Sequence, residues 1–255
     1  MTNISAVIIT RNEEENIRHC LESITQVAEE IIVIDSYSTD NTVQICREYP
    51  VNVYKLDWHG YAYAKNFGIE KTSNDYILSI DADELLSEPL IHSIQTVKSQ
   101  LTGAYSFNRL SNYCGQWIHH CGWYPDRKIR LFSKNNARWY GNFVHEKLQF
   151  DDHMEVINLK GNLLHYSFHS LSDHMQRVDQ YSQLAAEELI QMKKRLIILK
   201  MIVLPFIKFL KSYIFQNGYL DGFYGFCICV ISGFDVFLRY AKVIQIKRHK
   251  TKQSK

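Results

Sequence analysis

Apolar residues in the first third of the chain come in short runs, each ending on a polar or acidic residue. Ala6-Val7-Ile8-Ile9 runs into Thr10-Arg11-Asn12-Glu13, Ile31-Ile32-Val33-Ile34 into Asp35, and Tyr76-Ile77-Leu78-Ser79-Ile80 into Asp81-Ala82-Asp83-Glu84. Runs of this length, rich in Ile and Val, read as buried strands. Between them the period changes. Ile17, Cys20 (or Leu21), Ile24 and Val27 recur at helical spacing, as do Val43, Ile45, Cys46 and Tyr49 before Pro50. Val51-Asn52-Val53-Tyr54 reads as a third short strand, and 62–69 as a helix leading to the strand at 76–80. Strands alternating with helices imply βαβ units and a mainly parallel sheet. Unpaired acids do not sit in such a core, and ligands of open α/β sheets bind outside the carboxyl ends of the strands. The polar groups that end the runs are therefore expected at one crevice.

Two carboxylates one residue apart, Asp81 and Asp83, suit a hard divalent cation carrying a diphosphate. The plainer alternative is an acidic first turn of a helix. Asp35 is likewise either a ligand group or a cap for the next helix. Neither G-x-G-x-x-G nor G-x-x-x-x-G-K-[ST] occurs, which counts against a dinucleotide-binding domain and a P-loop NTPase. In the middle third, Asn108 to Tyr113 reads as a strand, and Pro125 to Phe132 as a basic turn entering a strand. Cys114, His119, His120 and Cys121 lie close together, but adjacent ligands strain a tetrahedron and no second ligand pair follows, so zinc is disfavoured. Trp117, Trp123, Tyr124, Trp139 and Tyr140 are either sugar-stacking surfaces or core. Ser172-Asp173 opens a long helix whose apolar face (Met175, Val178, Tyr181, Leu184, Ala185, Leu189) is expected on the catalytic body.

The net charge of +2 conceals a split. Residues 1–192 carry −9, whereas 193–255 carry 13 Lys and Arg against Asp221 and Asp235, or +11. The basic part begins with Lys193-Lys194-Arg195 and is apolar as well, with Phe206, Tyr213, Phe215, Tyr219, Phe223 and Tyr224 as anchors. No stretch reaches the ~18 uncharged apolar residues of a membrane span, so helices in the interface of an anionic bilayer are expected. The alternative is a helical pair packed on the domain or on a second subunit. Gly218-Tyr219-Leu220-Asp221-Gly222 is a turn between the two helices. No nucleic-acid module is readable. The expected division is 1–192 catalytic, 193–246 amphipathic and membrane-associating, and 247–255 a disordered basic tail. The first residues show no basic region before an apolar run, so no secretory signal is expected. Six cysteines without framework spacing fit a reducing cytosol.

Four ordered motifs carry a family resemblance: Val7-Ile8-Ile9-Thr10-Arg11-Asn12-Glu13, Ile32-Val33-Ile34-Asp35-Ser36-Tyr37-Ser38-Thr39-Asp40, Ala64-Lys65-Asn66-Phe67-Gly68-Ile69 and Ile80-Asp81-Ala82-Asp83. Over residues 4–90 the chain resembles the family 2 glycosyltransferases of GT-A fold, in the branch of the bacterial lipopolysaccharide core glucosyltransferases. The resemblance implies a GT-A fold with a mainly parallel sheet flanked by helices, here with a C-terminal basic, apolar helical appendage. It also implies an inverting transferase using a UDP-sugar with Mg²⁺ or Mn²⁺. On that pattern Thr10, Glu13 and Asp35 hold the nucleoside, Lys65 sits near the uracil or phosphates, Asp81 near the ribose and Asp83 on the metal. Arg130 becomes a candidate for a diphosphate or acceptor contact, and His165 joins Asp83 on the metal.

Inverting transfer needs one base for the acceptor proton, in contrast with the carboxylate pair of a glycosidase. His145-Glu146 resembles the position where this branch carries its base, so Glu146 takes that role, with His145 orienting it or binding acceptor. Asp151-Asp152 is a competing acidic pair. The reading is a hexosyltransferase, glucose first, peripheral on the cytoplasmic face of a bacterial membrane. Its acceptor is a lipid-linked glycan such as lipopolysaccharide core, and a homo-oligomer is possible. Its rivals are a nucleotidyltransferase on a similar fold and a membrane-bound nucleotide-binding scaffold without turnover.

Overall fold

The computed structural model describes residues 2–141, 146–150, 154–191 and 196–253. The chain forms two compact units: Met1–Leu110 with Pro125–Tyr166, and Ser111–Tyr124 with Ser167–Lys255.

The first unit is built on β1 (Ile4–Thr10), every residue of which is buried. It pairs in parallel with β2 (Glu30–Asp35) on one side and β4 (Tyr76–Asp81) on the other. β3 (Asn52–Lys55) extends the parallel part beyond β2. The connecting helices are α1 (Ile17–Ile24), α2 (Thr42–Cys46) and α3 (Tyr61–Glu70). Alternation along β1 sends Ala6 and Ile8 into one apolar layer with Ile17, Leu21 and Ile24, and Val7 and Ile9 into the other with Ile34, Ala64 and Phe132. Both faces of the sheet are therefore covered, and this is why its strands read as unbroken apolar runs. Gly68 lets α3 lie directly on the sheet: a Cβ there would come within 2.4 Å of the Val7 side chain.

Past β4 the sheet turns antiparallel. Along the chain come β5 (Glu84–Leu86), α4 (Glu88–Val97), β6 (Ala104–Tyr113), β7 (Gln116–Ile118), β8 (Asp126–Ser133), β9 (Ala137–Tyr140), β10 (Lys147–Phe150) and β11 (Val156–Phe168). The strand order is β3-β2-β1-β4-β8-β6-β11-β5, with β9 and β10 a separate hairpin. The parallel reading thus holds for the first four strands, and the sheet as a whole is mixed. β11 extends well upstream of the apolar run at 163–166, because Lys160 and Gly161 interrupt the pattern. Gly161 has φ +100°, and a Cβ there would collide with the Leu90 backbone nitrogen at 2.3 Å.

In the second unit, β7 pairs with the 111–113 end of β6. The helices α5 (Leu171–Gln191), α6 (Ile197–Leu210) and α7 (Gly222–Gln253) follow. A π-helical turn, Lys211–Phe215, and a 3₁₀ turn, Gly218–Asp221, join α6 to α7. Buried Asp221 accepts hydrogen bonds from the backbone N–H groups of His119 and His120 and lies 2.9 Å from His120 Nδ1. The His-His-Cys segment therefore anchors the turn before α7.

Two parts of the expected division can be set beside these elements. The helix at 171–191, assigned by its sequence to the catalytic body, groups with the C-terminal helices, and the compact boundary falls at 166/167 instead of 192. The cause is an aromatic cluster that local pattern does not reveal: Tyr113 packs edge-on against Trp123, Phe168, His174 and Tyr224. The segment from 247, expected as a disordered basic tail, continues α7 as far as Gln253. No described helix is long and apolar enough to cross a membrane.

His174 is buried in that cluster, its Nδ1 2.8 Å from the Tyr113 hydroxyl. Burial, reinforced by Arg177 and only partly opposed by Asp235, lowers its pKa to about 4. A basic group with a depressed folded pKa is stabilising while neutral, so this contribution is complete above the unfolded value near 6.5 and declines as pH falls towards 4. Thermal unfolding followed from pH 7 to pH 4 should show a loss of up to ~3 kcal/mol, at 1.36 kcal/mol per pKa unit. His174→Gln should flatten that dependence.

Candidate active site

Strand register brings the polar run ends together. Thr10 is level with Asp35, Asp35 with Lys55, and Ile9 with Asp81, so the carboxyl ends of four parallel strands form one edge. Beyond it, the loops after β1 and β2 are stitched to each other. Asn12, with φ +54°, donates its N–H to Ser38 Oγ and accepts from the Thr39 N–H. The Glu13 N–H donates to Thr42 Oγ1 at 2.7 Å, and Glu13 Oε2 accepts from Asn16 at 2.8 Å. Fully buried Asp35 accepts the Ser38 N–H on both oxygens, at 3.1 and 3.2 Å. Asp35 thus braces the loop after β2 and does not cap the next helix, whose N-cap position is Asn41. Thr10 Oγ1, buried at the strand end, has no hydrogen-bond partner among the described residues.

The acidic strand end of β4 is held by long-range cations. Asp81 Oδ2 accepts from Arg130 Nη2 at 2.8 Å, and its Oδ1 lies 3.1 Å from Lys65 Nζ, close enough for an ion pair but without hydrogen-bond geometry. The same Arg130 nitrogen donates to Oε1 of Glu84, whose side chain is wholly buried. Glu84 Oε2 accepts the Asp81 N–H at 3.2 Å, and Arg109 Nη1 lies 3.6 Å from Oε1. Burial by itself would raise the pKa of Asp81. The charges of Lys65 and Arg130, with the hydrogen bond from Arg130, outweigh it and hold the carboxyl well below the usual range. Burial likewise opposes the charge on Arg130, but Glu84 and Asp81 raise its pKa above that of a free guanidinium.

Lys65 leads from this cluster to the candidate base. Its buried ammonium lies 3.1 Å from Asp81, 3.3 Å from Glu146 Oε1 and 4.5 Å from the centre of the Trp139 ring. The three contacts fix the ammonium between two carboxylates and an aromatic face, a favourable cation–π arrangement. The Glu146 side chain remains about a quarter exposed. On the other side of Asp81, His165 Nε2 approaches Asp83 Oδ2 at 3.1 Å. The Tyr166 N–H bonds to the Asp83 carbonyl, and antiparallel pairing sets His165 opposite Glu84.

Asp83 and His165 are thus a carboxylate from the turn between β4 and β5 and an imidazole from β11, converging on one another. Mg²⁺ and Mn²⁺ in nucleotide sites take one or two protein ligands and complete the set with phosphate and water, and imidazole suits Mn²⁺. The pair fits such an ion. Glu84 does not, since both its oxygens are engaged and shielded. Among the described residues no group of three or more His, Cys, Asp or Glu is arranged to hold a metal ion by itself.

Lys65, Asp81, Arg130 and Glu146 therefore form one contact chain, Asp83 and His165 a pair beside it, and Thr10 and Asp35 neighbouring strand ends. Glu13 is engaged in the loop beyond them. Arg130, named from sequence for a diphosphate or acceptor contact, is 4% exposed and turned onto the acids. His145 and the competing Asp151-Asp152 pair lie outside the described residues. Sequence reasoning gave no role to Glu84, Arg109 or the Trp139 contact with Lys65. One signal for Glu84 was available: it lies three residues after Asp81, in a stretch with more acids than one cation needs.

Residues 5–145 match the model of glycosyl transferase family 2. An uncharacterized glycosyltransferase of Rickettsia typhi is 30% identical over 257 residues, covering 96% of this chain and 88% of the relative. The lipopolysaccharide core biosynthesis glycosyltransferase LpsC of Rhizobium meliloti is 30% identical over 264 residues, covering 98% and 94%. Among solved structures, the mannosyltransferase PcManGT of Pyrobaculum calidifontis, in complex with GDP-Man and Mn²⁺, superposes with a TM-score of 0.55 at 13% identity, covering 96% and 88%. That likeness shows the fold, the GT-A arrangement, with a helical C-terminal region.

Removing one partner from a buried ion cluster leaves the other uncompensated and costs about 3–5 kcal/mol. Glu84→Gln, which removes one of the two carboxylate charges facing the buried Arg130, should therefore lower the unfolding free energy by up to roughly that amount in urea titrations. Asp126→Asn, which breaks the third-exposed Arg109–Asp126 pair at 2.6 Å, should cost under about 1 kcal/mol.

Proposed function

Because the chain belongs to glycosyl transferase family 2, we propose that it is an inverting, metal-dependent hexosyltransferase. It moves glucose, ahead of other hexoses, from a UDP-sugar to a lipid-linked surface glycan such as lipopolysaccharide core. The observation that carries the reading is the contact chain Glu146–Lys65–Asp81, with Asp83 and His165 beside it at the carboxyl ends of the parallel strands. The relative of that named biosynthetic role, similar over nearly the whole of both chains, supports the acceptor class.

In this reading Thr10, Glu13 and Asp35 receive the nucleoside, with the unpartnered Thr10 hydroxyl ready to hydrogen-bond it, and Asp81 meets the ribose. Asp83 and His165 hold Mg²⁺ or Mn²⁺, which neutralises charge developing on the leaving diphosphate. Lys65 adds its charge near the phosphates and, through Glu146 Oε1, fixes the orientation of the base. Glu146 takes the proton from the acceptor hydroxyl as that oxygen attacks the anomeric carbon. Arg130 acts through Asp81 and Glu84, keeping both acids ionised in place. The basic helical region confines the enzyme to the cytoplasmic face of a bacterial membrane, where a lipid-linked acceptor is found.

Purified protein in detergent, given a panel of UDP-sugars with and without Mn²⁺, should release UDP from one of them when the metal is present. A general base contributes about 10²–10⁴-fold, so Glu146→Gln should lower transfer by that factor while UDP binding survives. Asp83→Ala should weaken Mn²⁺-dependent UDP binding in calorimetry. Release of pyrophosphate from UTP and a sugar 1-phosphate, with no UDP released from any UDP-sugar, would make the protein a nucleotidyltransferase, and normal Mn²⁺-dependent binding by Asp83→Ala would remove Asp83 from the metal.

A further inference from the structure

Three stripes of side chains in the second unit converge on one cleft of about 420 Å³. Ala185, Glu188 and Leu189 come from α5, Leu204, Ile207, Lys208 and Lys211 from α6 and the turn after it, and Val236, Arg239 and Tyr240 from α7. Each set has the i, i+3, i+4 spacing of one helix face. The volume is within the ~300–1,000 Å³ usual for small-molecule sites. Its chemistry is divided. Leu189, Leu204, Ile207 and Val236 make an apolar wall, while Lys208 and Lys211 stand one turn apart with no carboxylate within ion-pair distance among the described residues. The third cation, Arg239, is held by Asp235. Glu188 is the one acid on the lining, and it is exposed.

The surroundings say what kind of molecule meets this cleft. α6 buries none of its residues, although its sequence is almost wholly apolar. Phe206 is 69% exposed and Phe223 68%, with Ile198, Leu199 and Ile202 all over half exposed. Apolar surface of this extent marks an interaction site. Residues 193–255 carry a net +11. Exposed apolar side chains interleaved with lysines suit the headgroup region of an anionic bilayer, which supplies acyl chains and phosphates together. A free phosphate would leave the apolar wall in water, and a neutral lipid would leave two ammonium groups unanswered.

We propose that the α5–α6–α7 cleft is a binding site for a single anionic phospholipid, with an acyl chain against Leu189, Leu204, Ile207 and Val236 and the phosphate at Lys208 and Lys211. The proposal rests on the membrane-surface reading above and specifies where and how the surface is read. It requires neither donor nor turnover. Bound lipid would anchor the helical unit by a defined pocket as well as by diffuse charge.

The test is flotation of the full chain with vesicles of phosphatidylcholine alone or with phosphatidylglycerol added. Wild type should float only with the anionic vesicles. Each basic residue near such a surface contributes about 1 kcal/mol, so Lys208→Ala/Lys211→Ala should weaken binding ~30-fold. Ala185→Phe fills the cleft at unchanged charge and should give a comparable loss, with the circular dichroism of the wild type. Glu188→Lys, at an exposed position, should strengthen binding ~5-fold. Wild-type affinity in Ala185→Phe overturns the cleft and leaves a diffusely charged surface, and wild-type affinity in Glu188→Lys takes the lipid phosphate away from this cleft altogether. Equal binding to both vesicle types overturns the choice of an anionic lipid. Self-association that is lost in Ala185→Phe assigns the cleft to a second copy of the chain and overturns the proposal. No flotation of wild type with either vesicle removes the membrane reading itself, while UDP release still tests the transferase.

Discussion

The guanidinium of Arg130 touches both Asp81 and Glu84, and nearly all of it is out of water. Two carboxylates three residues apart at the end of a buried strand repel each other and lose their hydration. Left alone, one would take up a proton or turn the chain outward. Arg130 on β8 and Lys65 on α3 supply the opposing charge, and only because β8 lies beside β4 and α3 lies flat on the sheet. The acidic turn after β4 is therefore a product of the assembled fold. Its geometry in turn sets Asp83 against His165 and, through Lys65, sets Glu146 at the same edge.

This dependence explains why so much of the site is buried. Lys65, Glu84 and Arg130 do not face solvent. They hold the half-buried groups at the margin, Asp83 and Glu146, in fixed positions. A site that stabilises a leaving diphosphate gains from charges already in place, because they need not reorganise during the reaction. Stability and chemistry here share the same residues, so substitutions in the cluster will affect both. The conservative variants at Glu84 and Glu146 separate them, since one group lies inside the cluster and the other at its margin.

The strands β1, β2 and β4 were legible because a sheet covered on both faces demands unbroken apolar runs, and the acids ending those runs marked the crevice. Glu146 and His165 were singled out through family resemblance, not local pattern, and the structure places them beside Lys65 and Asp83. What the chain did not announce is long-range. Nothing near Arg130 says that it turns inward onto acids nearly fifty residues upstream. Nothing in the amphipathic pattern of α5 says that Tyr113, Trp123 and Phe168 will draw its first turn into the helical unit. β11 was half-read because Gly161, needed where the strand passes the Leu90 backbone, looks like a break. Periodicity reports which face of an element is buried and is silent on the element that buries it.

The central claim is that the carboxyl ends of β1, β2 and β4 receive a nucleoside diphosphate and a divalent cation together. Anomalous diffraction at the manganese edge, from crystals grown with UDP and Mn²⁺, tests it most directly. The account predicts one strong peak within coordination distance of both Asp83 and His165, with the nucleoside over Thr10 and Asp35. A peak elsewhere, or UDP bound with no manganese between Asp83 and His165, would contradict it.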